Sequence, residues 1–261
     1  MTSIVRVLTP TRDFDGTVGF FGETMGFEIE AQAITAHDPQ FVRRTSFRTP
    51  NGVVLDVVEP KATHSDRYIH PVISLAVSDL AATRQHIEAQ DLEFFTPTID
   101  GPDGRAWSYF DASEGYPYQL STASRRAEPT PVEQDGEGVE WILAPCTRFD
   151  ASVQFFEQVL KLPIQAKGTP VSDLRFHRYA QFHTRSGVTL ELVEPVATQR
   201  DLFRGPVVSL TVSDLRAART RLIDRGVTVV TDYVDDSNGC GWFYIRVPGS
   251  TTFQISGPFT A

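Results

Sequence analysis

Gly187–Pro195 reads GVTLELVEP, and 135 positions earlier Gly52–Pro60 reads GVVLDVVEP. Sliding the chain on itself by 135 brings Ile4–Ser121 into register with Val139–Ser256 without an insertion or a deletion. Pro10, Phe14, Asp15, Val18, Phe20 and Phe21 recur as Pro145, Phe149, Asp150, Val153, Phe155 and Phe156. Further on, HPVISLAVSDL from His70 meets GPVVSLTVSDL from Gly205, and Trp107, Tyr109 and Gln119 meet Trp242, Tyr244 and Gln254. A repeat of this length fixes architecture before it says anything about chemistry.

Each copy divides again. In the first, Ile4–Leu8 is apolar and β-branched and stops at Pro10, the signature of a strand. Asp13 or Asp15 then offers a helix cap, and Phe14, Val18, Phe21 and Met25 follow at the spacing of one apolar helical stripe, which Gly26 closes. A short strand at 27–31 and two longer ones at 41–48 and 53–58 follow, the last two joined by Pro50-Asn51-Gly52. After a polar connector at 61–69, expected to be exposed, the order starts again: a strand at 72–77, a cap at Ser78-Asp79, a helix through Leu80 and Ile87, then strands at 92–96, 107–110 and 118–121. Gly226 is placed to end the last helix. The reading is an α+β chain of four β-α-β-β-β modules, 1–60, 70–121, 139–195 and 205–256. They group into domains 1–121 and 139–261, separated by a Pro- and Glu-rich linker at 122–138.

Composition narrows the function classes. The chain has 261 residues and 41% hydrophobic content, enough for two ordinary cores. A formal charge of −9 and the absence of a Lys/Arg run argue against nucleic acid. MTSIVRVLTP has no basic-then-apolar leader, and no apolar run reaches the length of a membrane span, so a cytoplasmic protein is expected. Cys146 and Cys240 face Thr11 and Arg105 in the other copy, so the fold does not depend on a disulfide, and both are expected as packed thiols.

Four successive modules, with D-F or D-L opening each helix and a strand ending L-D/E-V or Y/F-Q-L/I, resemble the vicinal oxygen chelate superfamily of glyoxalases, extradiol dioxygenases and bleomycin-resistance proteins. The resemblance implies that modules pair into curved sheets around clefts, with helices outside. It also implies four metal seats per cleft, on the first and last strands of two paired modules. Carried onto this chain, with each first-strand seat seven residues before the helix-opening position, the seats are Arg6, Asp56, Val72 and Gln119, then Trp141, Glu191, Val207 and Gln254. Pairing modules across the repeat gives Arg6, Asp56, Val207 and Gln254 with Val72, Gln119, Trp141 and Glu191 instead. Both pairings stay open on sequence alone.

Neither set offers the three lone-pair donors that a divalent ion ordinarily takes from a protein. No cofactor is therefore expected, with a divalent metal as the alternative. Strand alternation puts His177, Tyr179, Gln181 and His183 on the face of Glu191, but six residues of strand, about 20 Å, separate the two histidines. Arg6 and Asp56 read either as an internal salt bridge or, with Arg44 or Arg48, as a grip on an anionic group. Trp141, Tyr179, Glu191 and Gln254 suggest an aromatic cleft with few polar anchors, which makes the second half the stronger candidate. Trp107 and Trp242, matched in both copies, read as packing. The expected function is metal-independent binding of a planar, partly apolar small molecule by a monomer or homodimer. The rivals are a lyase, isomerase or dioxygenase using either a depleted metal site or Glu191 as a base on a metal-free substrate, and a protein with plugged clefts that serves interaction alone.

Overall fold

A computed structural model of the chain describes residues 2–34, 38–101, 104–112, 115–122, 138–171, 173–236 and 238–260. The expected linker therefore lies, from 123 to 137, outside the described residues. The first half holds strands β1 (Ser3–Pro10), β2 (Glu28–Ile34), β3 (Phe41–Arg48), β4 (Val54–Pro60), β5 (Val72–Val77), β6 (Ile99–Asp100), β7 (Ala106–Asp111) and β8 (Pro117–Thr122). The second holds β9 (Gly138–Pro145), β10 (Ile164–Gly168), β11 (Phe176–His183), β12 (Thr189–Pro195), β13 (Val207–Thr211), β14 (Thr228–Val229), β15 (Val234–Asp235), β16 (Cys240–Arg246) and β17 (Thr252–Pro258). Helices α1 (Phe14–Gly19), α2 (Leu80–Glu88), α3 (Phe149–Gln154) and α4 (Leu215–Asp224) follow the first strand of each module. The first and third run on as π-helical turns, Phe20–Thr24 and Phe155–Val159.

The strands form two mixed sheets, in orders β2-β3-β4-β1-β5-β8-β7-β6 and β10-β11-β12-β9-β13-β17-β16-β14, with β15 beside β16. In each sheet the two modules join through their first strands, β1 antiparallel to β5 and β9 antiparallel to β13. Modules therefore pair within each half. The turns of the repeated stretch explain its opening glycine: Gly52 and Gly187 sit at φ +83° and +84°, a region that side chains with a Cβ rarely enter. Asp13, Asp79 and Asp214 cap their helices by accepting backbone N–H bonds, whereas α3, opened by Arg148, has no side-chain cap.

One apolar core serves both halves. Phe21, from the turn after α1, meets Phe253 on β17, and Phe156, 135 positions on, meets Tyr118 on β8. Backbone contacts across the halves are reciprocal too: Asn51 Nδ2 donates to Val139 O at 2.7 Å, and Ile4 N donates to Ser186 Oγ at 3.1 Å. The helices thus lie between the sheets, and each concave face, turned away from that core, carries its own smaller cluster.

Three local expectations change. The strand expected at 92–96 is reduced to an isolated bridge, Phe94 to Phe110, with the edge pairing shifted to β6. The connector at 61–69 is not wholly exposed, because Tyr68 is buried against Phe41 and Tyr109. Cys146 is packed as expected, but Cys240 is exposed.

Candidate functional site

Register decides which side chains enter the clefts. Bulges between Phe41 and Arg43 and between Phe176 and Arg178 break the simple alternation of β3 and β11. Phe41 and Phe176 thereby turn into the concave clusters, while Arg43 and Arg178 lie over the helix rings of Phe14 and Phe149. His177 and His183 are exposed, and His177 has lost the cleft face that unbroken alternation assigned to it. Tyr179 and Gln181 keep that face: Tyr179 packs on the concave cluster and Gln181 pairs with Glu191.

A second correction concerns the seats. Arg6 on β1 stands opposite Ser74 on β5, and Ser74 Oγ donates to Gln119 Oε1 at 2.6 Å. Ser74, not Val72, therefore completes the first set of four. Val72 packs in the apolar cluster with Leu8 and Tyr109. In the second half, Ser209 stands opposite Trp141 and in register with Gln254, displacing Val207 in the same way.

In the first half these residues surround a cavity of about 50 Å³ lined by Arg6, Arg44, Asp56, Ser74 and Gln119, with Leu8, Phe41, Val58, Trp107 and Tyr109 as walls and Arg105 among the lining. Arg6 is ion-paired with Asp56 through Nη1 and Oδ2, and the other oxygen, Oδ1, accepts from Ser46 Oγ at 2.5 Å. The Asp56 side chain is 1% exposed, so both of its oxygens are committed to internal donors. A second buried carboxylate, Asp38, accepts from Gln40 N at 3.0 Å, Trp107 Nε1 at 3.0 Å and Tyr109 Oη at 2.9 Å. Gln119 Nε2 donates in turn to Tyr109 Oη at 2.8 Å. The chain Ser74 to Gln119 to Tyr109 to Asp38 has one direction throughout. Burial raises Asp38 above the ordinary carboxylate range, while the three donors and the Arg44 charge pull it back.

Asp38 was missed in the sequence, where it reads as part of a polar connector. Asp173 stands 135 positions later in the same place, and that recurrence was the available signal. Trp107 and Tyr109 are indeed buried packing, as expected, but they also wall the cavity and orient Asp38.

The second half rearranges the same parts. Where the first has Gln40, the second has Arg175, whose Nε donates to Asp173 Oδ1 at 2.7 Å and whose guanidinium covers the Tyr244 ring at 4.7 Å. Asp173 is drawn to Arg175, and Trp242 Nε1 is buried with no partner among the described residues. Phe176, Phe203 and Tyr244 fill the floor ring against ring, at 4.7 and 5.3 Å. Trp141 occupies the position of Arg6 and donates through Nε1 to Glu191 Oε2 at 2.9 Å, while Gln181 Nε2 donates to Oε1 at 3.1 Å. Burial pushes Glu191 up to about 7, the two hydrogen bonds pull it back, and the Asp173 charge adds to the rise. Gln254 Nε2 donates to Tyr244 Oη at 3.1 Å. The described cavity of about 50 Å³ lies in the first half, around Arg6 and Asp56.

Neither set of seats fits a divalent cation. Among the described residues no three His, Cys, Asp or Glu side chains converge. In the first set a guanidinium occupies the seat and takes the one carboxylate; in the second an indole N–H does so. Both are donors without lone pairs to give.

Residues 3–120 match the family model of the Glyoxalase/Bleomycin resistance protein/Dioxygenase superfamily. No curated protein sequence matches the chain. Among solved structures, a mutant 4-hydroxymandelate synthase from Streptomyces coelicolor is 15% identical with a TM-score of 0.69, covering 100% of this chain and 94% of that one. The Mn(II)-bound glyoxalase from Novosphingobium aromaticivorans is 15% identical, TM-score 0.66, with 100% and 84% covered. The 2,3-dioxygenase LapB from Pseudomonas sp. KL28 is 13% identical, TM-score 0.65, with 100% and 94% covered. At these identities the likeness is one of fold.

Proposed function

From the match of residues 3–120 to the Glyoxalase/Bleomycin resistance protein/Dioxygenase superfamily model, we propose that the chain is a member of that superfamily, that it binds a small molecule in the cleft of its first half and that it does so without a resident divalent metal. The observation that carries this reading is the ion pair between Arg6 and Asp56: the seat's one carboxylate already has a cation, built into the chain. Displacing it would leave a buried guanidinium unpaired, a cost of about 3–5 kcal/mol that a weakly ligated ion would have to offset.

The family's fold supplies a cleft, and the substitutions turn that cleft from a metal site into one that holds by shape and hydrogen bonds. In the second half, Arg175, Trp141 and the Phe176–Phe203 pair occupy the corresponding space, which favours one ligand per chain. The shared core of the two halves supports a monomer, since the repeat buries the surface that two separate copies would bury by dimerising. No described helix is long and apolar enough to cross a membrane, and a cytoplasmic setting fits two free thiols.

The test is elemental analysis of the purified chain, followed by equilibrium dialysis against Mn, Fe, Ni and Zn. Sub-stoichiometric metal after dialysis, with thermal midpoints indifferent to chelator, is the expected result. One tightly held ion per chain would end the reading and favour a metal-dependent relative of the dioxygenases.

One observation favours a catalytic reading as well. A carboxylate raised to about 7 is matched to proton transfer near neutral pH, so Glu191 has the acidity of a general base for a lyase or isomerase. Its two oxygens are held by Trp141 and Gln181, and a substrate would have to displace one of those donors.

A further inference from the structure

We infer that the ligand of the first-half cleft is a small organic carboxylate, anchored by the Arg44 guanidinium. This rests on the proposed binding role of that cleft and adds the chemical class of what enters it.

Of the four arginines on β1 and β3, three are ion-paired. Arg6 pairs with Asp56, Arg43 with Glu59 and Asp15, and Arg48 with Glu30. Arg44 lines the cavity and is partly buried, and its guanidinium forms neither a salt bridge nor a hydrogen bond among the described residues. The two carboxylates nearby are already engaged. Asp56 holds Arg6 and Ser46, and Asp38 accepts three donors of its own and meets Arg44 only as a charge across the cleft. A partly desolvated guanidinium with its donors unspent is an anion seat.

The fold does not require that cation. The repeat places Tyr179 at the same position of the second sheet, where the strand pairing is otherwise kept. Arg44 is therefore a feature of the first cleft alone, where it lines the described cavity.

Volume sets the class of group. About 50 Å³ has room for only a few water molecules at about 10–15 Å³ each. A carboxylate head enters whole, and the rest of the ligand must lie toward the mouth. The lining includes Leu8, Val58, Phe41 and Trp107, apolar or aromatic side chains that suit a carbon skeleton rather than a bare ion.

The experiment is calorimetric titration of the full chain with benzoate, phenylacetate and acetate, each beside its amide, and with inorganic phosphate. At least one carboxylate should bind at one per chain, with its amide at least 10-fold weaker. Arg44→Gln and Arg44→Tyr should each lower that affinity about 10-fold or more while leaving the unliganded melting temperature in place, and Arg48→Gln should bind as the parent does. Equal binding of acid and amide, no binding by any of the acids, or full affinity in Arg44→Gln would overturn the assignment. So would phosphate binding as tightly as the best acid, which would mark a bare-anion site. Tight binding of neutral compounds in the same cleft would remove only the carboxylate, whereas a stoichiometric metal would remove the underlying reading.

Discussion

The ring of Phe21 meets that of Phe253 edge-on at 5.7 Å, across the boundary between the two halves, and Phe156 meets Tyr118 at the same 5.7 Å. Each half thus inserts an aromatic ring from its first helical segment into the other half's sheet. All four rings are fully buried. Phe156→Ala should cost about 3–5 kcal/mol, the usual price of removing a buried phenyl group and leaving a void. Urea unfolding followed by both fluorescence and circular dichroism should give one transition for the whole chain. Two separable transitions would show that the halves are independent units despite the shared rings.

The Arg6–Asp56 pair makes a stability prediction of its own. Arg6→Met leaves Asp56 buried with only Ser46 to serve it and should destabilise by about 3–5 kcal/mol, whereas Arg6→Met with Asp56→Leu should recover most of that loss. Equilibrium denaturation of the single and double variants decides it. A double variant no better than the single would mean that the pair holds the strands by more than charge.

Much of this was legible beforehand, and the parts that were not have physical causes. Helix caps at Asp13, Asp79 and Asp214, the glycine turns at Gly52 and Gly187 and the module order all follow from local chemistry that a sequence displays. The bulges at Phe41 and Phe176 do not, because an extra residue in one strand is defined only by its partner. Alternation therefore misdirected His177, and counting back from the helix caps chose Val72 where register chose Ser74. Aromatic residues such as Trp141 and Tyr179 read equally well as the walls of a cleft and as its filling, so composition alone does not rank the two clefts.

Glu191 predicts a pH dependence with a definite sign. Its acidity is displaced from the ordinary 4.5 to about 7, so the folded state holds its proton more tightly than the unfolded chain does. The associated stability is fully present below about pH 4.5 and is lost as pH rises through 7. The full displacement corresponds to at most about 3 kcal/mol. Glu191→Gln removes the titration. The stability of the parent relative to this variant should therefore fall between pH 5 and 8, in urea titrations run at each pH. A constant difference across that range would show that Trp141 and Gln181 keep the carboxylate ionised.

If substitution alone emptied the first-half seats of metal-binding capacity, substitution should return it. Arg6 and Ser74 are Cα partners on adjacent antiparallel strands, Asp56 already reaches the Arg6 side chain, and Gln119 already reaches Ser74. Arg6→His with Ser74→His would put two imidazoles beside a carboxylate freed from its ion pair and an amide oxygen, a donor set suited to Zn or Ni. The double variant should bind one such ion per chain, at least 100-fold more tightly than the parent, in chelator-competition titrations, and should gain thermal stability only when the ion is present. Adding Asp56→Asn should abolish the gain, because the carboxylate is the one anionic ligand in the set. Failure of the double variant to bind, with its fold intact, would mean that the sheet's curvature and not its side chains had closed the site.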